Sequence, residues 1–284
     1  MSLGDKLIVN ACLTGMVPTK ADNPNVPVTP EEIASDARRC VDAGAAIVHL
    51  HARDEKGQPT YRLETYEAVV AAVKERCPDV VVCVSTSGRT FKAFEERSAV
   101  LDLGGGLEPE LASLTLGSLN FPTQASVNEP EMIMRLAGRM RERGIVPELE
   151  VFDLGMLDYA AYLAERDVLR EPFYVNILLG SLGTLSATPA NLTLLAQSVP
   201  PGATWSAAGI GRFQFQVNAM AVTMGGHVRV GLEDNLYMDT AKQELATNAA
   251  LVERVVALAL AAGREPASPD EARALIGLRG RDGD

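Results

Sequence analysis

Short apolar runs alternate along this chain with longer stretches of helical period. Runs at 7–13, 45–51, 79–85, 111–116, 146–152, 173–179, 203–208 and 226–233 predict eight strands. The run at 79–85 is almost wholly apolar, as expected of a strand covered on both faces. Between them, helical patterns are predicted at 30–43, 63–75, 91–101, 129–143, 156–165, 189–198, on towards 224, and at 239–262. The punctuation agrees. Thr29-Pro30-Glu31-Glu32 reads as a capping box with Pro in the first turn, Gly44 stops that helix, and Pro78 ends the next. Ser268-Pro269-Asp270-Glu271 caps a short terminal helix, and the tail at 279–284 is expected to be disordered. Strand and helix alternating eight times predict an α/β fold, a (β/α)₈ TIM barrel, with 1–284 as a single domain. An open doubly wound sheet is the alternative. It would need a nucleotide fingerprint, and Gly209-Ile210-Gly211-Arg212 lacks the third Gly at the required spacing.

The second strand ends in His49-Leu50-His51. Side chains alternate along a strand, so Ile47, His49 and His51 share a face. Two imidazoles placed so can grip one metal ion; the alternative is two core histidines satisfied by hydrogen bonds. The best third ligand lies in the eighth strand, where His227, Arg229, Gly231 and Glu233 are expected to share the inner face. In a barrel the eighth, first and second strands are neighbours, so the histidine and glutamate ends meet at the carboxyl face. His49, His51 and Glu233 then form a three-ligand set with open positions, the pattern of a catalytic zinc site. Such a metal can polarise a carbonyl or acidify water, and spacing does not separate the two uses.

Asp234 follows Glu233 directly and should stay free of the metal, near Arg229. An Asp held by Arg is a plausible general base; a buried structural ion pair is the other reading. Glu148 and Glu150 share a face of the fifth strand, an unusual pattern. Ser85, Ser113 and Asn10 could donate hydrogen bonds to a carboxylate or an enolate oxygen. The Pro/Asn-rich loop at 18–27 is long for a compact domain, which hints at function.

Composition narrows the partners. A net charge of −11 argues against nucleic acid. No apolar run reaches membrane-spanning length, and 1–5 lacks the start of a signal peptide, so a cytoplasmic protein is expected. Cys12, Cys40, Cys77 and Cys83 form no CxxC pair and read as reduced, buried residues.

Taken in order, Asn10-Ala11-Cys12-Leu13-Thr14-Gly15, His49-Leu50-His51, Val84-Ser85-Thr86, Gly209-Ile210-Gly211-Arg212 and the run from Gly226 to Asn235 resemble the motifs of the β-keto acid cleavage enzymes. The resemblance extends over about 6–275. It implies a zinc-dependent barrel, usually a homotetramer, that condenses a β-keto acid with acetyl-CoA. Enolate formation, CoA transfer and retro-Claisen cleavage then release acetoacetate and a new acyl-CoA. It implies zinc ligands His49, His51 and Glu233, and Asp234 as base assisted by Arg229. Ser85 matches the serine that holds the substrate carboxylate, and Glu150 an acidic residue near the substrate. Ser113 stands where the type member has threonine. Thr14 and Val17 complete the expected substrate-binding set, with one departure. Val17 replaces a glutamate that recognises the type member's substrate amino group. Burying an unpaired ammonium costs several kcal/mol, so the substrate here is expected to lack that positive charge. Arg89, Lys92 and Arg212 are candidates to meet CoA phosphates. Two other readings remain. A metal-dependent hydrolase also places HxH on a barrel strand, but only His227 is left for a second metal. A non-catalytic zinc scaffold would not need Asp234 beside Arg229.

Overall fold

The computed structural model describes residues 5–279; residues 1–4 and the tail from 280 onward, expected to be disordered, lie outside them. Eight strands form a closed ring: β1 Val9–Cys12, β2 Ile47–Leu50, β3 Val81–Val84, β4 Leu111–Thr115, β5 Val146–Val151, β6 Tyr174–Leu179, β7 Thr204–Gly209 and β8 His227–Val230. Each pairs with its neighbours in parallel, and β8 closes against β1 through Arg229 opposite Asn10. The surrounding helices are α1 Pro30–Asp42, α2 Leu63–Arg76, α3 Phe94–Ser98, α4 Pro130–Glu142, α5 Leu154–Glu165, α6 Pro189–Ser198, α7 Gln214–Thr223 and α8 Asn248–Ala261, with α9 Pro269–Ile276 at the end. The expected TIM barrel is therefore the fold. Among the described residues no helix is long and apolar enough to cross a membrane.

Local chemistry fixes the boundaries. Thr29 and Glu32 form the capping box of α1, and Ser268 and Glu271 that of α9. Two helices are shorter than their periodicity predicts. The pattern at 239–262 becomes helical only at Asn248, capped by Thr247, because the Asp239 carboxylate binds the N–H groups of Gln243 and Glu244 in a turn. The pattern at 91–101 starts at Phe94, where Glu96 accepts from the Ala93 N–H, and tightens into a 3₁₀ turn over Ala99–Asp102.

The barrel interior has two levels. Its amino-terminal end is apolar: Ile47, Val81, Leu111 and Tyr174 pack there, and α9 plugs the opening with Ala272 and Ile276. Above them Asn10, His49, Glu148, Asn176, Ser206 and Arg229 are all buried. A closed barrel leaves such groups no water, so they must satisfy one another.

His227, expected deep on the inner face, lies at the amino end of β8, opposite Ser206. Its Nδ1 accepts the Ile8 N–H at 3.0 Å. Burial, helped by the charge of Arg264, pushes its pKa down from 6.5 to about 3. The unfolded chain therefore takes up this proton below pH 6.5 while the folded chain does not until about pH 3. Stability is lost as pH falls through that window, by about 2 kcal/mol between pH 7 and pH 5 from this group. Asn at this position keeps an acceptor without a titration. Urea unfolding of His227→Asn should show a smaller stability loss than wild type between those two pH values; equal losses would contradict the assignment.

Candidate active site

The carboxyl ends of β2 and β8 converge beside β1. The ligating atoms of His49, His51 and Glu233 lie within 4.8 Å of one another. His51 Nε2 is 3.2 Å from Glu233 Oε1, and the two imidazole centroids are 5.2 Å apart. Glu233 does not arrive by strand alternation, as the sequence suggested. β8 ends at Val230, and Glu233 sits in the turn that follows, its N–H bonded to the Cys12 carbonyl. Two glycines make that turn fit. Gly231 has its Cα against Cys12, where an added Cβ would lie 2.1 Å from the carbonyl oxygen. Gly15 has φ +68°, and its missing Cβ leaves room for the Glu233 Cγ, which would otherwise be 2.6 Å away.

Glu148 anchors the cluster from below. Its Oε2 pairs with His49 Nδ1 at 3.0 Å and its Oε1 accepts from Asn10 Nδ2 at 2.7 Å. Holding Nδ1 in this way fixes the ring and leaves Nε2 as the ring nitrogen not engaged by Glu148. Asn176 reaches the same carboxylate at 3.4 Å and in turn accepts from Ser206. Burial pushes Glu148 upward, but the charges of His49 and Arg229 bring it below the usual carboxylate range.

Arg229, almost fully buried, ties four carboxylates together. Its guanidinium is 2.8 Å from Glu233, 2.9 Å from Asp234, 3.3 Å from Glu150 and 3.9 Å from Glu148. For Asp234, burial pushes the carboxyl up, Arg229 pulls it down and Glu233 pushes it up again; it ends above its ordinary range. Glu150 is also raised, chiefly by burial, while Thr115 donates to its Oε2 at 2.6 Å. Burial holds the His51 imidazole below its ordinary value, which favours the neutral form that metal binding requires.

The donor set suits a divalent cation. Four buried or half-buried carboxylates face one guanidinium, leaving a negative surplus that partial burial makes costly. Among the described residues, Glu233 Oε2 and His51 Nδ1 are buried without a hydrogen-bond partner. A second donor group, His49, Cys83 and Glu148, overlaps the first at His49. There burial keeps the Cys83 thiol well above its usual range, and it donates to Glu148 at 3.4 Å, so Glu148 is already engaged.

A cavity of about 660 Å³ opens above the cluster. His51, Ser85, Glu150, Arg229, Glu233 and Asp234 line its floor and Val17 its rim. Other candidates lie elsewhere. Thr14 is buried outside the cavity, its hydroxyl donating to the Pro27 carbonyl at 2.9 Å, where it fixes the long loop. Ser113 sits one level deeper, its Oγ accepting from the Thr86 N–H; Thr115, two residues on, is the hydroxyl of β4 that reaches the cavity. Asn10 faces Glu148 rather than a ligand. Lys92 donates to the carbonyls of Gly88 and Arg89 and is not in the cavity wall, whereas Arg89 and Arg212 are. Thr115 and Lys242 carried no signal in the sequence. Glu148 did, through its shared face with Glu150.

Fold and site together define an enzyme of the barrel class built around a possible His/carboxylate metal centre. More narrowly, the chain belongs to the beta-keto acid cleavage enzyme family, which residues 6–278 match. It is 43% identical over 277 residues to a 3-keto-5-aminohexanoate cleavage enzyme of Fusobacterium nucleatum, covering 97% of this chain and 99% of that one. It is 37% identical to a 3-oxoadipate:acetyl-CoA acetyltransferase of Cupriavidus necator, covering 95% and 94%. Among solved structures, a ternary complex of ObcA with a C4-CoA adduct and oxalate superposes with a TM-score of 0.80 at 25% identity, over 90% of this chain and 68% of that one.

Gly15→Ala should displace Glu233 without unfolding the barrel. Metal affinity is expected to fall about 10- to 100-fold, read by competition with a chromophoric chelator, with circular dichroism unchanged. A variant binding metal like wild type would break the link between Gly15 and Glu233.

Proposed function

We propose that this chain is a zinc-dependent β-keto acid:acetyl-CoA acyltransferase that releases acetoacetate and a new acyl-CoA. The observation that carries the reading is the pairing of the His49–His51–Glu233 cluster, its two histidines buried, with Asp234, which accepts a hydrogen bond from Arg229 and belongs to neither donor group. His49, His51 and Glu233 would hold Zn²⁺, a common ion for two histidines and a carboxylate. When bound, the metal supplies Lewis-acid polarisation of the keto oxygen.

The residues of the chain do the rest. Ser85 offers its hydroxyl to the substrate carboxylate. Asp234 takes the α-proton, its raised affinity for protons suiting it to the task and Arg229 holding it in position. The enolate carbon then attacks the thioester carbonyl of acetyl-CoA and the CoA thiolate leaves. That thiolate adds to the former keto carbon, the carbon–carbon bond breaks, and Asp234 returns its proton to the departing acetoacetate. Glu150, held by Thr115 and Arg229, keeps the guanidinium fixed throughout. Exposed Arg212 and Lys242 at the cavity rim are suited to CoA phosphates. The enzyme is proposed to work as a cytoplasmic homotetramer, a reading supported by the family resemblance.

A two-metal hydrolase is disfavoured: His227, the remaining histidine, is bound to Ile8 at the opposite end of the barrel. Val17, half-exposed at the rim, gives no counter-charge for an ammonium group.

Asp234→Asn should retain its metal while turnover falls about 10²- to 10⁴-fold, measured as acyl-CoA formation alongside elemental analysis. Wild-type rates in that variant would remove Asp234 from the reaction. Across a panel of β-keto acids, those without a cationic end should be preferred. Highest specific activity on 3-keto-5-aminohexanoate would refute the role given to Val17.

A further inference from the structure

Among the described residues, Arg89 is a cation in the cavity wall with no carboxylate paired to it. It lies in the loop after β3, and its backbone is fixed at both ends. Its N–H donates to Ser87 Oγ at 3.3 Å, and its carbonyl accepts from Lys92 at 3.2 Å. The guanidinium stacks on Phe121, 3.5 Å from the ring centroid, and Phe121 is braced edge-on by Phe152. Stacking orients the plane of the guanidinium and leaves its N–H edges free. Among the described residues no carboxylate pairs with it, although Glu233, Glu150 and Asp234 are near enough to pull its pKa back against the lowering by burial. Those three carboxylates are already held by Arg229. A half-buried guanidinium oriented in this way, with no carboxylate paired to it among the described residues, suits bidentate binding of a carboxylate.

Its depth separates it from the other cations. Arg212 and Lys242 line the same cavity but are exposed at the rim, where an extended thioester cofactor would enter. Arg89 is set further in, close to the reacting groups, with Ser87 also in the wall. Ser85 lines the same cavity, so a substrate held there by its own carboxylate shares that space with Arg89.

We infer that Arg89 and its Phe121 platform form a subsite for a second carboxylate, so that the preferred substrates are β-keto dicarboxylic acids. The inference rests on the proposed reaction for its substrate class, but its test does not need turnover. Binding of five- and six-carbon α,ω-dicarboxylates and of the matching monocarboxylates would be measured by calorimetry on the metal-containing protein. CoA would be titrated in parallel. Wild type should bind the dicarboxylates about tenfold or more tightly than the monocarboxylates. Arg89→Ala should abolish that preference and leave CoA binding unchanged, and Arg89→Lys should restore only part of it. Equal binding of both classes by wild type would overturn the subsite, as would a preference that survives in Arg89→Ala. Weakened CoA binding in Arg89→Ala with acid binding intact would reassign the cation to a cofactor phosphate and also overturn it. A lack of turnover with every β-keto acid would count against the proposed reaction alone, since the binding comparison reads Arg89 separately.

Discussion

Arg229 is the buried cation on which the carboxylates of this barrel converge. It rises from β8 to the floor of the cavity, itself almost fully buried, and meets Glu148, Glu150, Glu233 and Asp234 within 4 Å. Ionised groups removed from water persist only when charge and hydrogen bonds are matched. One guanidinium serves all four, and its planar fork is what lets a single side chain reach that many partners. Without it the acids would repel, take up protons or draw in water. The positions of all four acids are therefore one problem with one solution.

The barrel makes that solution geometrically possible. Closure of β8 on β1 sets Arg229 opposite Asn10 and brings β2 next in line, so residues distant in sequence meet over one floor. The floor is itself polar and self-satisfied. Ser206, Asn176, Asn10 and Glu148 hand hydrogen bonds along to His49 Nδ1, so the imidazole is oriented from the barrel interior outward. Below that level the interior is apolar and α9 seals it. The stability of the barrel and the precision of the site thus occupy different levels of the same cylinder, consistent with chemistry at the carboxyl face of such folds.

Much of this was legible in the sequence because it depends on period. Two histidines spaced by two, and two glutamates spaced by two, mark faces of strands whatever the tertiary detail. The Arg-to-Asp run after Gly226 concentrates too much charge in a buried segment to be packing alone. What was not legible depends on where a chain turns. Glu233 reaches His51 only because β8 stops at Val230 and Gly15 yields space. Thr14 and Ser113 carry hydroxyls that any strand end might present to a ligand, and both are turned to backbone groups instead. Thr115 differs from Ser113 by one step of the pleat, a difference that register decides and composition does not. The helical period over 239–247 was real as a pattern, but the Asp239 side chain competes for the backbone N–H groups there and holds a turn.

If a divalent cation held through His49, His51 and Glu233 balances this carboxylate cluster, the purified chain carries it. Elemental analysis of the purified chain, before and after dialysis against a strong chelator, measures it directly. A single equivalent of zinc per chain is expected, with turnover lost on its removal and regained on its return. A chain that carries no divalent metal and still converts a β-keto acid and acetyl-CoA at full rate would contradict it.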